Sequence, residues 1–323
     1  MRHQSKGMGA IRMGKVCGAI VIWVSVTSWL QAETITLCYD VACPQIDFAA
    51  GDVAQALADR GDSTTRMPLS DIDSGADGTR LVLATLSDTT VIDAMRIQGA
   101  TASADLRPEG FSIRTTSAGG RTKHWVIGKD TAGGMYGGLE LAEVIRCRGL
   151  DAVRAVDQNP YMPLRGIKFN CPLDERTPTY HNHDGDAQRK NVLVMWDMAF
   201  WKAYIDDLAR FRYNYLSLWN LHPFPSMVRV PGYEKVALDD VQSTSQTLKM
   251  SVDQKIAFWR EVMRYGKDHN VDLCVVTWNI FVDGTDGQYG LTDKYDNPTT
   301  IDYFRKSVKQ MFLPGPGRSG TSA

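Results

Sequence analysis

Three stretches of the chain place amides, a guanidinium and indoles near the ends of apolar runs. They are Arg165 with Asn170, then Trp219 with Asn220 and His222, then Thr277, Trp278 and Asn279. Amide and guanidinium groups hydrogen-bond hydroxyls, and an indole stacks on the apolar face of a pyranose, so the set points to a carbohydrate ligand. Each member also has a structural explanation. Arg165 could pin its strand to a neighbouring domain by a salt bridge, the indoles could fill a core, and the amides could cap loops. Cleaving such a ligand would need carboxyl groups placed on either side of the bond. Asp174-Glu175 is an adjacent pair, but it lies in a loop bounded by Pro172 and Pro178 beside Arg176, where a solvated salt bridge accounts for it. Asp283 and Asp286 are flanked by Gly284 and Gly287 and read as turn formers. His181, His183, Asp184 and Asp186 crowd one run, YHNHDGD, which hydrophilic turn composition explains. With no C-x-x-C or H-E-x-x-H spacing, the sequence implies neither a metal site nor a cofactor.

These residues must be held by regular elements, and the apolar periodicity supplies them. Residues 33–39 alternate as a strand, 46–60 have helical spacing, 80–86 are a buried strand and 89–97 a short helix. Strands at 111–115 and 124–128 flank Gly119-Gly120 as a hairpin, and 135–147 form an amphipathic helix. This β-α-β-α-β-β-α order predicts a compact α/β sandwich, with helices on a mixed sheet. After Gln158-Asn159-Pro160 the pattern becomes strand then helix, three times over: 164–169 and 200–211, 213–219 and 252–265, 271–278 and 300–312. Apolar strands alternating with helices predict a parallel sheet of βα units. No glycine-rich phosphate loop follows any strand, which argues against a nucleotide site.

The run from Gly110 through His124-Trp-Val-Ile-Gly-Lys-Asp130 to Gly133-Gly-Met-Tyr-Gly-Gly-Leu-Glu-Leu-Ala-Glu143 resembles the end of the small α/β domain that precedes the barrel of several glycoside hydrolases. These are the β-N-acetylhexosaminidases of family 20 and the α-glucuronidases of family 67. Pro163-Leu-Arg165-Gly166 is similar to the run that opens the hexosaminidase barrel. Independently, Gly134 and Gly137 suit a tight strand-to-helix turn and close helix–sheet packing, and Tyr136 can cover the edge of the core. The resemblance implies a TIM barrel whose first three βα units are present, with its site at the C-terminal strand ends. It implies substrate binding by Arg165, and the strand-end residues Asn170, Trp219, Asn220, Trp278 and Asn279 join it as sugar-binding candidates by their side-chain chemistry. Asn170 stands where hexosaminidases carry Asp, Trp219 replaces their His, and Asn220 is closer to the glucuronidase pattern.

The chain has 323 residues, 43% hydrophobic and 23% charged, with net charge −1. That composition excludes a disordered, collagenous or coiled-coil chain, and the near-neutral charge argues against a nucleic-acid partner. Residues 1–32 read as a secretory signal: Arg2, Lys6, Arg12 and Lys15 without an acid, then an apolar run from Val16 to Leu30. The run is short for a stable membrane span, and the alternative is an anchor left uncleaved. Beyond the signal, which holds Cys17, the five cysteines Cys38, Cys43, Cys147, Cys171 and Cys274 are odd in number and widely spaced, which predicts buried free thiols, although Cys38 and Cys43 could pair. The expected organisation is a signal at 1–32, an α/β domain at 33–158, the first part of a barrel at 159–312 and an irregular tail at 313–323. A (β/α)8 barrel takes roughly 250 residues. The expectation is therefore an exported glycoside hydrolase chain, truncated and inactive, whose acid pair would lie beyond the C-terminus. The competing expectation is a non-catalytic carbohydrate-binding or interaction protein.

Overall fold

The computed structural model describes residues 33–74, 77–179, 186–278 and 281–312. The first elements are β1 (Thr34–Cys38), α1 (Pro44–Ala58), β2 (Ser63–Met67), β3 (Gly78–Thr85), α2 (Thr89–Ile97), β4 (Phe111–Ala118), β5 (Arg121–Gly128), α3 (Thr131–Arg148) and β6 (Val156–Gln158). They build a six-stranded sheet in the order β2-β1-β3-β5-β4-β6. The β1–β2, β1–β3 and β3–β5 pairs are parallel, and β4 is antiparallel to both β5 and β6. Alternation along the strands divides the core into two layers. Leu37, Leu81, Leu83 and Val126 face α1 and α3, whereas Cys38, Val82, Ala84, Trp125 and Ile127 face α2. The expected mixed α/β layer is present. The sequence reading omitted β2 and β6, which are short and polar and gain order from pairing at the sheet edges.

Local chemistry fixes the start of α3. The Asp130 side chain caps the helix by accepting from Gly133 N at 2.8 Å. Close packing needs the glycines. A Cβ on Gly137 would meet Val126 Cγ1 at 2.6 Å, and one on Gly133 would meet the carbonyl oxygen of Gly110 at 2.3 Å.

The second group comprises β7 (Gly166–Asn170), α4 (Asp186–Asn191), α5 (Met198–Arg210), β8 (Tyr215–Asn220), α6 (Phe224–Met227), β9 (Asp240–Gln242), β10 (Thr247–Lys249), α7 (Val252–Asp268), β11 (Asp272–Thr277) and α8 (Pro298–Met311). β7, β8 and β11 form a parallel sheet with β8 at its centre. Long helices connect its strands, as the βα reading expected. α6 and the antiparallel β9–β10 ribbon, which interrupt the β8–α7 connection, were not foreseen. Among the described residues, helices cover one face: Leu216 and Leu218 pack with Trp201, Ile205 and Leu208 of α5 and Trp259 and Val262 of α7. A full Ser251–Gln254 capping box starts α7.

Two expectations on side chains need correction. Cys38 and Cys43 are unpaired thiols, as are Cys147, Cys171 and Cys274, but Cys147 is exposed rather than buried. Asp174 is not solvated: its side chain is fully buried. Residues 1–32, 180–185 and 313–323 lie outside the described residues, and with them the expected signal, most of the His/Asp run and the tail.

Candidate functional site

Strand alternation decides which side chains the open face of the second sheet presents. Along β8, Leu216, Leu218 and Asn220 are buried, while Tyr215, Ser217 and Trp219 are half-buried. Register carries the pattern across the sheet: Asn170, Trp219 and Val276 pair in one row, and Trp278 follows two residues later on the same face. At the C-terminal ends this brings Asn170, Trp219 and Trp278 together. The two indoles meet edge to face with centroids 5.9 Å apart, and Trp278 remains 44% exposed. Trp219 is held from behind, because its Nε1 donates to Ser217 Oγ. Lys168, two residues before Asn170, places Nζ 5.1 Å from the Trp219 ring centroid. Lys168 was missed in the sequence, although the two-residue strand period puts it on the face of Asn170.

The other expected site residues lie elsewhere. Asn220 points to the helix-covered side and is 1% exposed. Its Nδ2 donates to the carbonyls of Cys171 (2.9 Å) and Thr177 (3.0 Å), and its Oδ1 accepts from His222 N. It ties the β7 and β8 loops together and is spent in doing so. Arg165 precedes β7, at the opposite end of that strand from Asn170. Its Nη2 pairs with Glu109 Oε2 at 2.6 Å, its Nε donates to the Arg212 carbonyl at 2.6 Å and its guanidinium lies over the Tyr136 ring. The geometry is that of the structural salt bridge weighed in the sequence, now with a named partner. Asn279 lies outside the described residues.

His222 is a buried brace rather than a surface group. Its Nδ1 is 2.6 Å from the Asp283 carbonyl, which can only accept, so Nδ1 carries the proton. Nε2 of the neutral ring then accepts from Tyr303 Oη at 2.9 Å. Burial pushes the His222 pKa down to about 4, which keeps the ring neutral. One imidazole thus joins the end of β8 to the β11 loop and to α8.

Asp174, the first member of the candidate acid pair, is equally committed. Arg176 grips Asp174 through Nε–Oδ1 (2.7 Å) and Nη2–Oδ2 (2.9 Å), and the same guanidinium reaches Asp240 Oδ1 at 2.5 Å. Gln242 N also donates to Asp174 Oδ2. Fully buried Lys255 donates to the carbonyls of Leu238 and Asp240, and burial pulls its pKa down to about 8. These charges fasten the β7 loop to β9. They leave Asp174 no lone pair aimed at a ligand.

With that geometry in hand, the chain can be set beside known proteins. No protein-family model matches the sequence, and no curated protein matches it. Among solved structures it is similar to a family 138 glycoside hydrolase targeting pectin rhamnogalacturonan II, at 22% identity and a TM-score of 0.63, over 86% of this chain and 36% of that one. It is also similar to the family 20 β-N-acetylhexosaminidase of Streptomyces coelicolor A3(2), at 15% identity and a TM-score of 0.43, over 75% of this chain and 41% of that one. The first likeness shows a glycoside hydrolase-like fold. This chain spans well under half the length of either structure. Among the described residues, no helix is long and apolar enough to cross a membrane.

Proposed function

We propose that the chain binds carbohydrate as part of a glycoside hydrolase-like protein. The carrying observation is the edge-to-face pair of Trp219 and exposed Trp278 at the C-terminal ends of adjacent parallel strands, with Asn170 beside Trp219 in register. Trp278 supplies a stacking face for the apolar side of a sugar ring. In this reading β7, β8 and β11 are the first strands of a (β/α)8 barrel, residues 33–158 are the small domain before it, and the kinship extends to the hexosaminidases and α-glucuronidases. Export belongs to the same reading, supported by the basic and apolar composition of residues 1–30.

Hydrolysis by this chain is not proposed, because the salt-bridged Asp174 cannot serve as acid or nucleophile. The test is titration of the purified chain with neutral, amino and acidic oligosaccharides, read by tryptophan emission, beside turnover of aryl glycosides. Binding that perturbs Trp278 emission and is lost in Trp278→Ala is expected; a chain that binds none of the glycans refutes the assignment. Turnover abolished by Glu175→Gln, or by Asp174→Asn in a chain whose folding is shown intact by circular dichroism, would restore catalysis to this chain.

A further inference from the structure

The residues that begin the three parallel strands share one acceptor. Arg165 precedes β7, Asn214 precedes β8 and Asn270 lies just before β11. Arg165 Nη2 lies 2.6 Å from Glu109 Oε2, while Asn214 Nδ2 and Asn270 Nδ2 donate to Glu109 Oε1 at 2.9 and 2.8 Å. Glu109 belongs to neither the strands nor their helices. It sits in the loop before β4, with a positive φ of 65°, a conformation unfavourable for a residue with a Cβ. Its backbone is held there: Glu109 N donates to the carboxylate of Asp130, the residue that also caps α3. Asn270, itself at φ 56°, also reaches Tyr136 Oη at 3.1 Å. The guanidiniums of Arg165 and Arg212 both lie over the Tyr136 ring, 5.6 and 5.8 Å from its centroid.

We infer that Glu109 is a positioning residue that sets the register of β7, β8 and β11 from the six-stranded layer, and thereby aligns Asn170, Trp219 and Trp278 at the far ends. A slip of one residue in a strand exchanges its two faces. Slipping β8 would turn Trp219 toward the helices and Asn220 outward. Leu216 and Leu218, buried on the helix-covered face, oppose such a slip, but the open face adds nothing to that, since Lys168, Ser217 and Cys274 form one row without a buried apolar member. A carboxylate that must collect three donors at once accepts one register for all three strands. Two further contacts hold the same layers together: the Phe48 and His269 rings meet 4.4 Å apart, and Arg210 pairs with Asp52 at 3.1 Å.

The register claim stands on these contacts, whereas its consequence for sugar rests on the function proposed above. The test uses the full chain with Glu109→Ala and Glu109→Gln, the latter keeping an acceptor for the two asparagines but losing the charge facing Arg165. Two readouts are taken: peptide-resolved amide exchange, and the circular-dichroism couplet of the Trp219–Trp278 pair, defined by its loss in Trp278→Phe. Glu109→Ala is expected to raise exchange in β7, β8 and β11 by roughly tenfold or more and to abolish the couplet, with β3 and β5 unchanged. Glu109→Gln should fall between Glu109→Ala and the parent. An unchanged couplet with unchanged exchange in Glu109→Ala overturns the inference. So does equal loss of protection in β3 and β5, which would mark Glu109 as a general stability residue. Sugar binding that fails in the parent chain while the couplet responds to Glu109 counts against the proposed function and leaves the register role standing.

Discussion

Trp278 meets Trp219 edge to face, with planes 63° apart, at the ends of two hydrogen-bonded parallel strands. The pair is asymmetric. Trp219 is half-buried and carries the Lys168 ammonium near its ring, whereas Trp278 is turned to solvent. Only Trp278 therefore offers a broad free surface.

That asymmetry predicts different outcomes for the two truncations. Trp278→Ala should weaken glycan binding about tenfold, roughly 1.4 kcal/mol, without lowering the thermal midpoint. Trp219→Ala should lower both, because it removes packing as well as contact. Calorimetric titration and thermal unfolding of the two variants separate these cases.

His222 gives a pH dependence with a definite sign. Its pKa is 6.5 when solvated and about 4 in the buried site, so between these values the unfolded chain binds more protons than the folded one. The stability associated with the neutral ring is complete above pH 6.5 and is lost as pH falls toward 4. Burial lowers His124 to about 4 as well and also lowers His269, and the losses add. Urea midpoints measured from pH 7 to 4 should decline throughout. In His222→Phe the baseline should be lower and this histidine-linked decline shallower, with the His124 and His269 contributions remaining.

Asp174→Asn should destabilise the chain by about 3 kcal/mol, because it leaves Asp240 alone to neutralise the Arg176 guanidinium and sets an amide NH2 against the donors of Arg176 or Gln242. Glu175→Gln, whose parent side chain is partly exposed, should stay within roughly 0.5 kcal/mol of the parent. Chemical denaturation of the two variants decides this, and equal losses would contradict the assigned roles.

The α3 glycines should rank by what surrounds them. A Cβ on Gly134 meets the end of the Ile46 side chain at 3.1 Å, which can yield, whereas one on Gly133 meets backbone at 2.3 Å, which cannot. Gly134→Ala should cost about 1 kcal/mol and Gly133→Ala about 3 kcal/mol, measured by thermal unfolding.

Periodic apolar patterning was enough to locate the helix Thr89–Ile97, the hairpin around Gly119-Gly120 and the three strand–helix units, because burial of one face is written locally in residue order. β9 and β10, like β2 and β6, were illegible because segments such as DVQ and TLK owe their order to a partner strand. The same limit applied to the site. Amides and indoles at strand ends were visible by type, and so were Trp219 and Trp278 as candidates. Whether Asn220 faced ligand or helix depended on which side of the sheet α5 and α7 cover. Whether Arg165 bound sugar or Glu109 depended on contacts 56, 105 and 161 residues apart in the chain, those of Glu109 with Arg165, Asn214 and Asn270. Residue order determined which chemical groups this protein carries and which segments bury them. Tertiary structure alone decided which groups are already satisfied, since a hydrogen bond or ion pair made across the fold removes a side chain from ligand chemistry without leaving a mark in local sequence.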